Sequence, residues 1–307
     1  MKLQVDLKSI KHVEFGVGRD IDDARTYAYV PVDSGVQQAL REMVVETWAA
    51  MQPLSTDPPR YEPSEKHAGE EYLHLPLDDD LSAPLKSLHE AVNLDPAANA
   101  LQDPGKVFCY FARLTDAKGR KLTALRRATQ FKGVLKNRLI RFADDTLRVI
   151  EDRVFKLDTD FDLLIDAAEI HILRPSGFEF AGQLQSAILA AVPQNVKALQ
   201  HDVAFVDFGG IAAYAATHPR AARYLASIRG QKESKNIDKR NLKKLCKATG
   251  VDFSEINGKL VVDESHVMGF LEVLDRRRYE VELVKDQPEH YRAASRAPLQ
   301  KKTGGKP

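Results

Sequence analysis

The segment VFCYFARLTDAKGRKLTALRRA, residues 107–128, contains two largely apolar runs on either side of the turn sequence DAKG. Two such runs separated by a short, glycine-containing turn are typical of a β-hairpin. We therefore predict a hairpin here, at the start of a second unit of the chain.

Upstream of the hairpin, residues 11–18 (KHVEFGVG) and 25–32 (RTYAYVPV) predict two strands. Residues 35–51, after an N-cap predicted at Ser34, have the apolar spacing of a long helix. The polar, proline-rich residues 55–71 indicate a loop, and a strand and a short helix are predicted between them and residue 93.

Downstream, residues 147–157, 161–166 and 169–174 predict three more short strands. Residues 178–250 then have mainly helical periodicity, and Pro219 divides one long helical pattern into two helices. Together the patterns predict an α+β protein: an N-terminal α/β unit, then a larger domain with a small antiparallel sheet and a helical C-terminal part. The predicted boundaries are 1–104, 105–297 and a disordered tail at 298–307.

The composition of the 307 residues is that of a globular protein, with 43% hydrophobic and 29% charged residues. Cys109 and Cys246 are far apart and belong to no CxxC sequence, and nine histidines show no zinc-binding spacing. No apolar run approaches the ~20 residues of a membrane-spanning helix. We therefore expect a cytoplasmic protein without a cofactor or metal, and no catalytic residue is predicted. The sequence favours a protein that is not an enzyme, without deciding the question.

Positive charge is concentrated in two segments although the net charge is only +1. Residues 118–141 contain nine Lys or Arg and no Asp or Glu, more than an edge strand needs for protection against aggregation. A second basic cluster lies at residues 229–247. By itself it indicates an ordinary solvated helix face, and the two clusters form a composite basic surface if the fold brings them together. Phosphate neutralisation relieves such repulsion, so the pattern favours nucleic acid. The predicted nucleic-acid-binding residues are Lys118, Arg120, Lys121, Arg126, Arg127, Lys132, Lys136, Arg138, Arg141, Lys235, Lys239, Arg240, Lys243 and Lys244.

Acidic residues are concentrated elsewhere, with eleven between Asp57 and Asp103 against three basic residues. This asymmetry leaves open an alternative in which the basic segments dock onto the acidic region of another copy.

The acids of DTDFDLLIDAAE, residues 158–169, have part of the spacing of an EF-hand loop. Leu163 stands where that loop needs glycine, so we do not predict calcium binding. A second alternative is a metal-dependent nuclease that uses Asp160, Asp162 and Glu169. The simpler interpretation is that these acids cap turns and pair with the basic segment.

The phrase VFKLDTDFDLLIDAAEIHILRPSGFE, residues 154–179, resembles the domain-of-unknown-function family that includes KwaB of the bacterial Kiwa anti-phage system. The resemblance lies in Phe155 to Asp158, Asp160 to Asp166, Ile170 to Pro175 and Phe178 to Glu179, and extends from about residue 107 to about residue 291. From the residues themselves we expect Phe155, Phe161, Leu163 and Ile165 to be buried.

The resemblance implies a cytosolic DNA-binding defence protein. It also implies a membrane-spanning KwaA-like partner, recruitment to the inner membrane through that partner, and a homodimer. It brings no catalytic residue with it.

Overall fold

The computed structural model describes residues 2–22, 24–91, 94, 107–128, 139–143, 146–150 and 157–293, with the backbone alone at 139–143, 146–150 and 232. The chain divides into two compact units. The first is Met1–Tyr61 with His67–Leu184, and the second is Glu62–Lys66 with Gln185–Pro307.

The strands of the first unit are β1 (Ile10–Ile21), β2 (Ala24–Val30), β3 (Leu73–Pro76), β4 (Val107–Asp116), β5 (Lys121–Arg127), β6 (Leu139–Ala143), β7 (Thr146–Ile150), β8 (Leu163–Ile165) and β9 (Glu169–Ile172). The α-helices among its described residues are α1 (Ser34–Met51), α2 (Ala83–Glu90) and α3 (Pro175–Ala181). Seven strands form one sheet in the order β2-β1-β4-β5-β8-β9-β3, and every neighbouring pair is antiparallel. β6 and β7 form a separate antiparallel pair.

The predicted hairpin is confirmed as the β4–β5 pair at the middle of this sheet. Gly119 takes the left-handed conformation that the turn requires, with φ of +78°. The Asp116 carboxylate accepts the N–H groups of Lys118 and Arg120 and so closes the turn. β4 is buried along almost its whole length, because helices cover both of its faces.

α1 covers one face of the sheet. Leu40, Met43 and Val44 of this helix belong to the same buried cluster as Val17 and Tyr110 of the strands. The helix begins one residue earlier than predicted, because Asp33 rather than Ser34 is the N-cap and accepts the N–H of Val36 at 2.8 Å.

The opposite face carries aromatic side chains that pack directly on the β1 backbone. A Cβ on Gly16 would lie 2.1 Å from the Phe111 ring, and one on Gly18 would lie 2.6 Å from Cys109 Sγ. Only glycine leaves this space. α2 lies on this face, where Arg113 donates to the carbonyls of Leu88 and Ala91 at the end of the helix.

The stability of the fold depends on pH through a buried carboxylate next to β8. Asp166 accepts the N–H groups of Gln4, Ala168 and Glu169, and its carboxylate is 3.4 Å from His171 Nε2. Burial acts to raise its pKa, but these hydrogen bonds outweigh that effect and lower the pKa from 3.8 to about 2.

Because the folded-state pKa is depressed, Asp166 stabilises the fold above pH 4 and loses that contribution as the pH falls towards 2. We expect Asp166→Asn to lower the free energy of unfolding by about 2 kcal/mol at pH 7. The difference from the parent chain should shrink steadily below pH 4 in urea titrations. A difference that is the same at pH 7 and pH 2.5 would contradict this assignment.

The second unit contains six described α-helices and two strand pairs. The helices are α4 (Gln185–Ala190), α5 (Val192–Asp202), α6 (Gly209–Ala215), α7 (Pro219–Arg229), α8 (Lys239–Ala248) and α9 (Val267–Leu274). The strand pairs are β10 (Ser254–Ile256) with β11 (Lys259–Val261), and β12 (Arg278–Val284) with β13 (Gln287–Arg292). Pro219 begins α7, which confirms the predicted division into two helices, and Gly250 follows α8 with φ of +69°.

The α+β class is confirmed, but the strands are distributed differently from the predicted units. β1 and β4 lie on either side of the boundary predicted at residue 104, and they are neighbours in one sheet. The compact units divide after Leu184 instead, because the long β1 strand forms part of the same ladder as the central hairpin. The predicted tail at 298–307 lies outside the described residues.

Candidate nucleic-acid interface

α8 is amphipathic, and its outer face is cationic. Asp238 is the N-cap and accepts the N–H of Asn241 at 2.8 Å. Leu242 and Cys246 are buried on the inner side. The side chains on the opposite side are exposed and share one stripe, at i, i+4 and i+7. This cationic face consists of Arg240, Lys244 and Lys247.

Two lysines at the flank of α8 are neutralised by one carboxylate. Lys239 Nζ and Lys243 Nζ lie 2.5 and 2.6 Å from the two oxygens of Glu255. The hydrogen bonds from these lysines lower the pKa of Glu255 from 4.5 to about 2. Both lysines were predicted to bind nucleic acid, and the fold instead places them against this glutamate.

The cationic face itself has little opposing charge. Lys244 Nζ is 3.3 Å from Glu280, but the lysine side chain is 74% exposed, and a pair so exposed to water is weak. Among the described residues, no carboxylate forms an ion pair with Arg240 or Lys247. Lys235, in the 3-10 turn before α8, is exposed as well.

The basic residues of the hairpin have three kinds of surroundings: solvent, a carboxylate or an aromatic ring. Lys118 and Lys121, at the β4–β5 turn, are exposed. Arg120 is paired, with Nη2 2.6 Å from the Asp116 carboxylate. Arg127, at the other end of β5, lies over the Phe180 ring at 4.0 Å.

Arg126 is surrounded by acids from the phrase of residues 154–179. Its guanidinium lies 3.2 Å from Asp158, 3.3 Å from Asp160 and 2.8 Å from Asp162, and its side chain is 17% exposed. Arg174 makes two contacts with Asp160, at 2.8 and 2.9 Å. We call these five residues the arginine–aspartate network. The charge of Arg126 is therefore balanced within the fold.

Two of the three acids that the nuclease alternative requires have their carboxylates paired with arginines of the network. Asp160 and Asp162 are bound by Arg126 and Arg174. Glu169 faces another group, with its carboxylate 3.6 Å from His74. The described residues contain no cluster of three or more His, Cys, Asp or Glu that could hold a metal ion. The geometry thus gives no support to metal ligation by these acids.

A glycine makes room for the network at the start of α3. A Cβ on Gly177 would lie 2.3 Å from Asp162 Oδ2, closer than any real contact. The apolar residues of the phrase behave as predicted, since Phe161, Leu163 and Ile165 are buried. Phe155 lies outside the described residues.

We expect Gly177→Ala to lower the free energy of unfolding by about 1–3 kcal/mol, because the added methyl displaces the Asp162 carboxylate from its two arginines. Gly69→Ala is the matched control, because a Cβ at Gly69 has nothing within 4 Å. Chemical denaturation of both variants measures the difference. Equal midpoints for the two variants would show that Asp162 has space to move.

For four of the predicted residues the structure describes no side chain. Lys132, Lys136 and Arg138 are outside the described residues, and Arg141 is in β6, where only the backbone is described. The two basic segments belong to different compact units, residues 118–141 to the first and residues 235–247 to the second.

Two features of the site escaped prediction from the sequence. Lys247 does not belong to the predicted set, although it follows Arg240 by seven residues and Lys244 by three, a spacing that places all three on one face of a helix. The packing of Phe180 against Arg127 had no local signal, because the two residues are far apart in the sequence.

A comparison with protein families identifies the chain. The family model described as Kiwa protein KwaB-like matches residues 106–283, which is more than half of the sequence. The chain belongs to the KwaB-like family. The match contains the hairpin, the arginine–aspartate network and α8, and it confirms the resemblance seen in residues 154–179. No curated protein and no solved structure matches the chain significantly.

Membership of the KwaB-like family implies a component of the Kiwa anti-phage defence system. Among the described helices, none combines the length and the apolar character needed to cross a membrane.

Proposed function

We propose that this KwaB-like protein is the DNA-binding component of its Kiwa system and that it holds DNA mainly through the phosphate backbone. The observation that carries the proposal is the cationic face of α8, where three exposed cations share one stripe and two of them have no carboxylate partner among the described residues. Lys235, Lys118 and Lys121 are further exposed cations available to phosphates.

The chemistry of the face suits phosphate better than base edges. Lys and Arg that neutralise phosphates release condensed counterions, which supplies affinity without reading the sequence. The three cations extend over about 10 Å of helix, which is longer than the rise of a single base pair, about 3.4 Å. We therefore infer weak sequence preference.

Family membership supports a proposal about partners. The KwaB family is part of a multi-protein Kiwa system. We propose that a membrane-spanning KwaA-like partner recruits this cytoplasmic protein to the inner membrane. A homodimer would double the cationic surface presented to one duplex. Co-purification with the membrane protein and sedimentation analysis of the isolated chain test the two parts separately.

The direct test is fluorescence anisotropy with a labelled 24-base-pair duplex across a series of salt concentrations. We expect binding at 50 mM salt that weakens steeply and linearly on a log–log plot. Absence of binding at 50 mM salt would overturn the proposal. Salt-sensitive self-association without DNA, measured by light scattering, would favour docking onto the acidic region of another copy instead.

The nuclease alternative is tested in the same preparation. Plasmid incubated with the protein and Mg²⁺ or Mn²⁺ should be bound and left intact, because Asp160 and Asp162 are already bound by arginines. Cleavage that linearises the plasmid, and that stops when the metal is chelated, would show that the protein is an enzyme.

A further inference from the structure

Arg127 is set against an aromatic ring rather than a carboxylate. Its Cζ is 4.0 Å from the centroid of the Phe180 ring in α3, and its side chain is partly exposed. Within the part of the chain that the structure describes, its guanidinium has neither an ion-pair partner nor a hydrogen-bond acceptor. A guanidinium stacked on a ring directs its N–H donors outward in its own plane. These donors are therefore available to an acceptor that comes from outside the fold.

A second arginine, Arg25, also packs against the Phe180 ring. Arg25 lies 4.2 Å from the Phe108 ring and 4.9 Å from the Phe180 ring. Its Nη1 donates to the carbonyls of Phe180 and Ala181 at 2.8 and 3.0 Å, and its Nε is 3.4 Å from Asp20. Arg25 thus has protein acceptors on both sides and fixes the end of α3, whereas the Arg127 guanidinium has none among the residues that the structure describes.

The backbone of Arg127 is fixed too. Its N–H donates to Asp162 Oδ2 at 2.7 Å, so the arginine–aspartate network anchors the main chain while Phe180 orients the side chain. Side-chain entropy is the main cost of ordering a long cation for binding. Because the Arg127 side chain is already ordered in the folded protein, binding should cost it less conformational entropy.

We propose that Arg127 is a preorganised clamp for a phosphodiester group of DNA and that Phe180 is its positioning residue. The planar fork of the guanidinium fits two phosphate oxygens at once. The chain continues from Arg127 into residues 128–141, which contain four more Lys or Arg and no acid. This inference rests on the proposed function and adds the geometry of one contact.

The test uses the full chain and the labelled duplex at 0.15 M salt. Arg127→Lys retains the positive charge but loses the planar fork and the stack, so we expect it to weaken binding by about 10-fold, close to the effect of Arg127→Gln. Arg127→Gln should also make the salt dependence shallower by about 1 unit. Lys197→Gln, on an exposed residue of α5, is the matched control and should bind normally.

Phe180→Leu and Phe180→Tyr separate positioning from charge. The leucine variant should bind several-fold more weakly, and the tyrosine variant, which retains the ring, should restore affinity. Thermal unfolding of each variant shows whether the fold is retained. Parental affinity of Arg127→Lys would overturn the clamp while leaving the proposed function intact. If the parent chain does not bind the duplex, both the proposed function and the clamp are wrong. If every Arg127 variant binds normally while an α8 variant loses affinity, only the clamp is wrong.

Discussion

A variant in which Arg240, Lys244 and Lys247 are all replaced by glutamine is expected to bind duplex DNA on the order of 100-fold more weakly than the parent chain at 0.15 M salt. Each cation contributes through the counterions that it displaces from the duplex, so the loss grows as the salt concentration falls. The slope of log affinity against log salt should become shallower by about 2.7 units. Anisotropy titrations at several salt concentrations measure both quantities.

This substitution should leave the fold unchanged. All three side chains are exposed, and the buried side of α8 is retained in Leu242 and Cys246. The matched control replaces Lys8, Lys11 and Lys197 by glutamine, which removes the same net charge from exposed positions on other elements. If the control loses as much affinity as the α8 variant, net charge rather than the cationic face explains the binding.

The second large effect concerns stability rather than binding. Asp162→Ala is expected to lower the free energy of unfolding by about 3–5 kcal/mol, because it removes a buried partner from Arg126. The Asp162 side chain is 4% exposed and lies 2.8 Å from Arg126 Nη1. It also accepts the N–H of Arg127. Burial raises the pKa of this carboxyl, and the Arg126 charge opposes that shift, so each group depends on the other.

Asp160→Ala is the matched control for this prediction. Asp160 is 19% exposed, and its removal leaves Arg126 with both Asp158 and Asp162. Asp160 also pairs with Arg174, which keeps Glu70 as a partner. We expect a cost of about 1–2 kcal/mol from the loss of two partly exposed pairs. Urea denaturation compares the two variants, and equal midpoints would show that burial of Asp162 adds nothing. A loss of DNA binding on charge reversal of Arg126 is therefore interpretable only when the stability of that variant is measured as well, because Arg126 is paired with three aspartates.

Much of the local structure could be predicted from the sequence. The hairpin of residues 107–128, the break before Pro219 and the burial of Phe161, Leu163 and Ile165 all depend on turn chemistry or periodicity, which are properties of neighbouring residues. The single sheet containing β1 and β4 could not be predicted in this way, because the pairing of these strands joins residues as far apart in the sequence as Ile10 and Asp116.

The α+β class, the order of the elements and the phrase that marks the KwaB-like family could all be predicted from local patterns of residues. Which positive charges are balanced depends on the three-dimensional fold. Arg126 meets acids 32 to 36 residues away, and Lys239 and Lys243 meet Glu255, whereas the face of Arg240, Lys244 and Lys247 stays open to solvent. Because Coulomb attraction depends on distance in space, a count of charges along the chain predicts where cations are dense but not which of them can bind a phosphate.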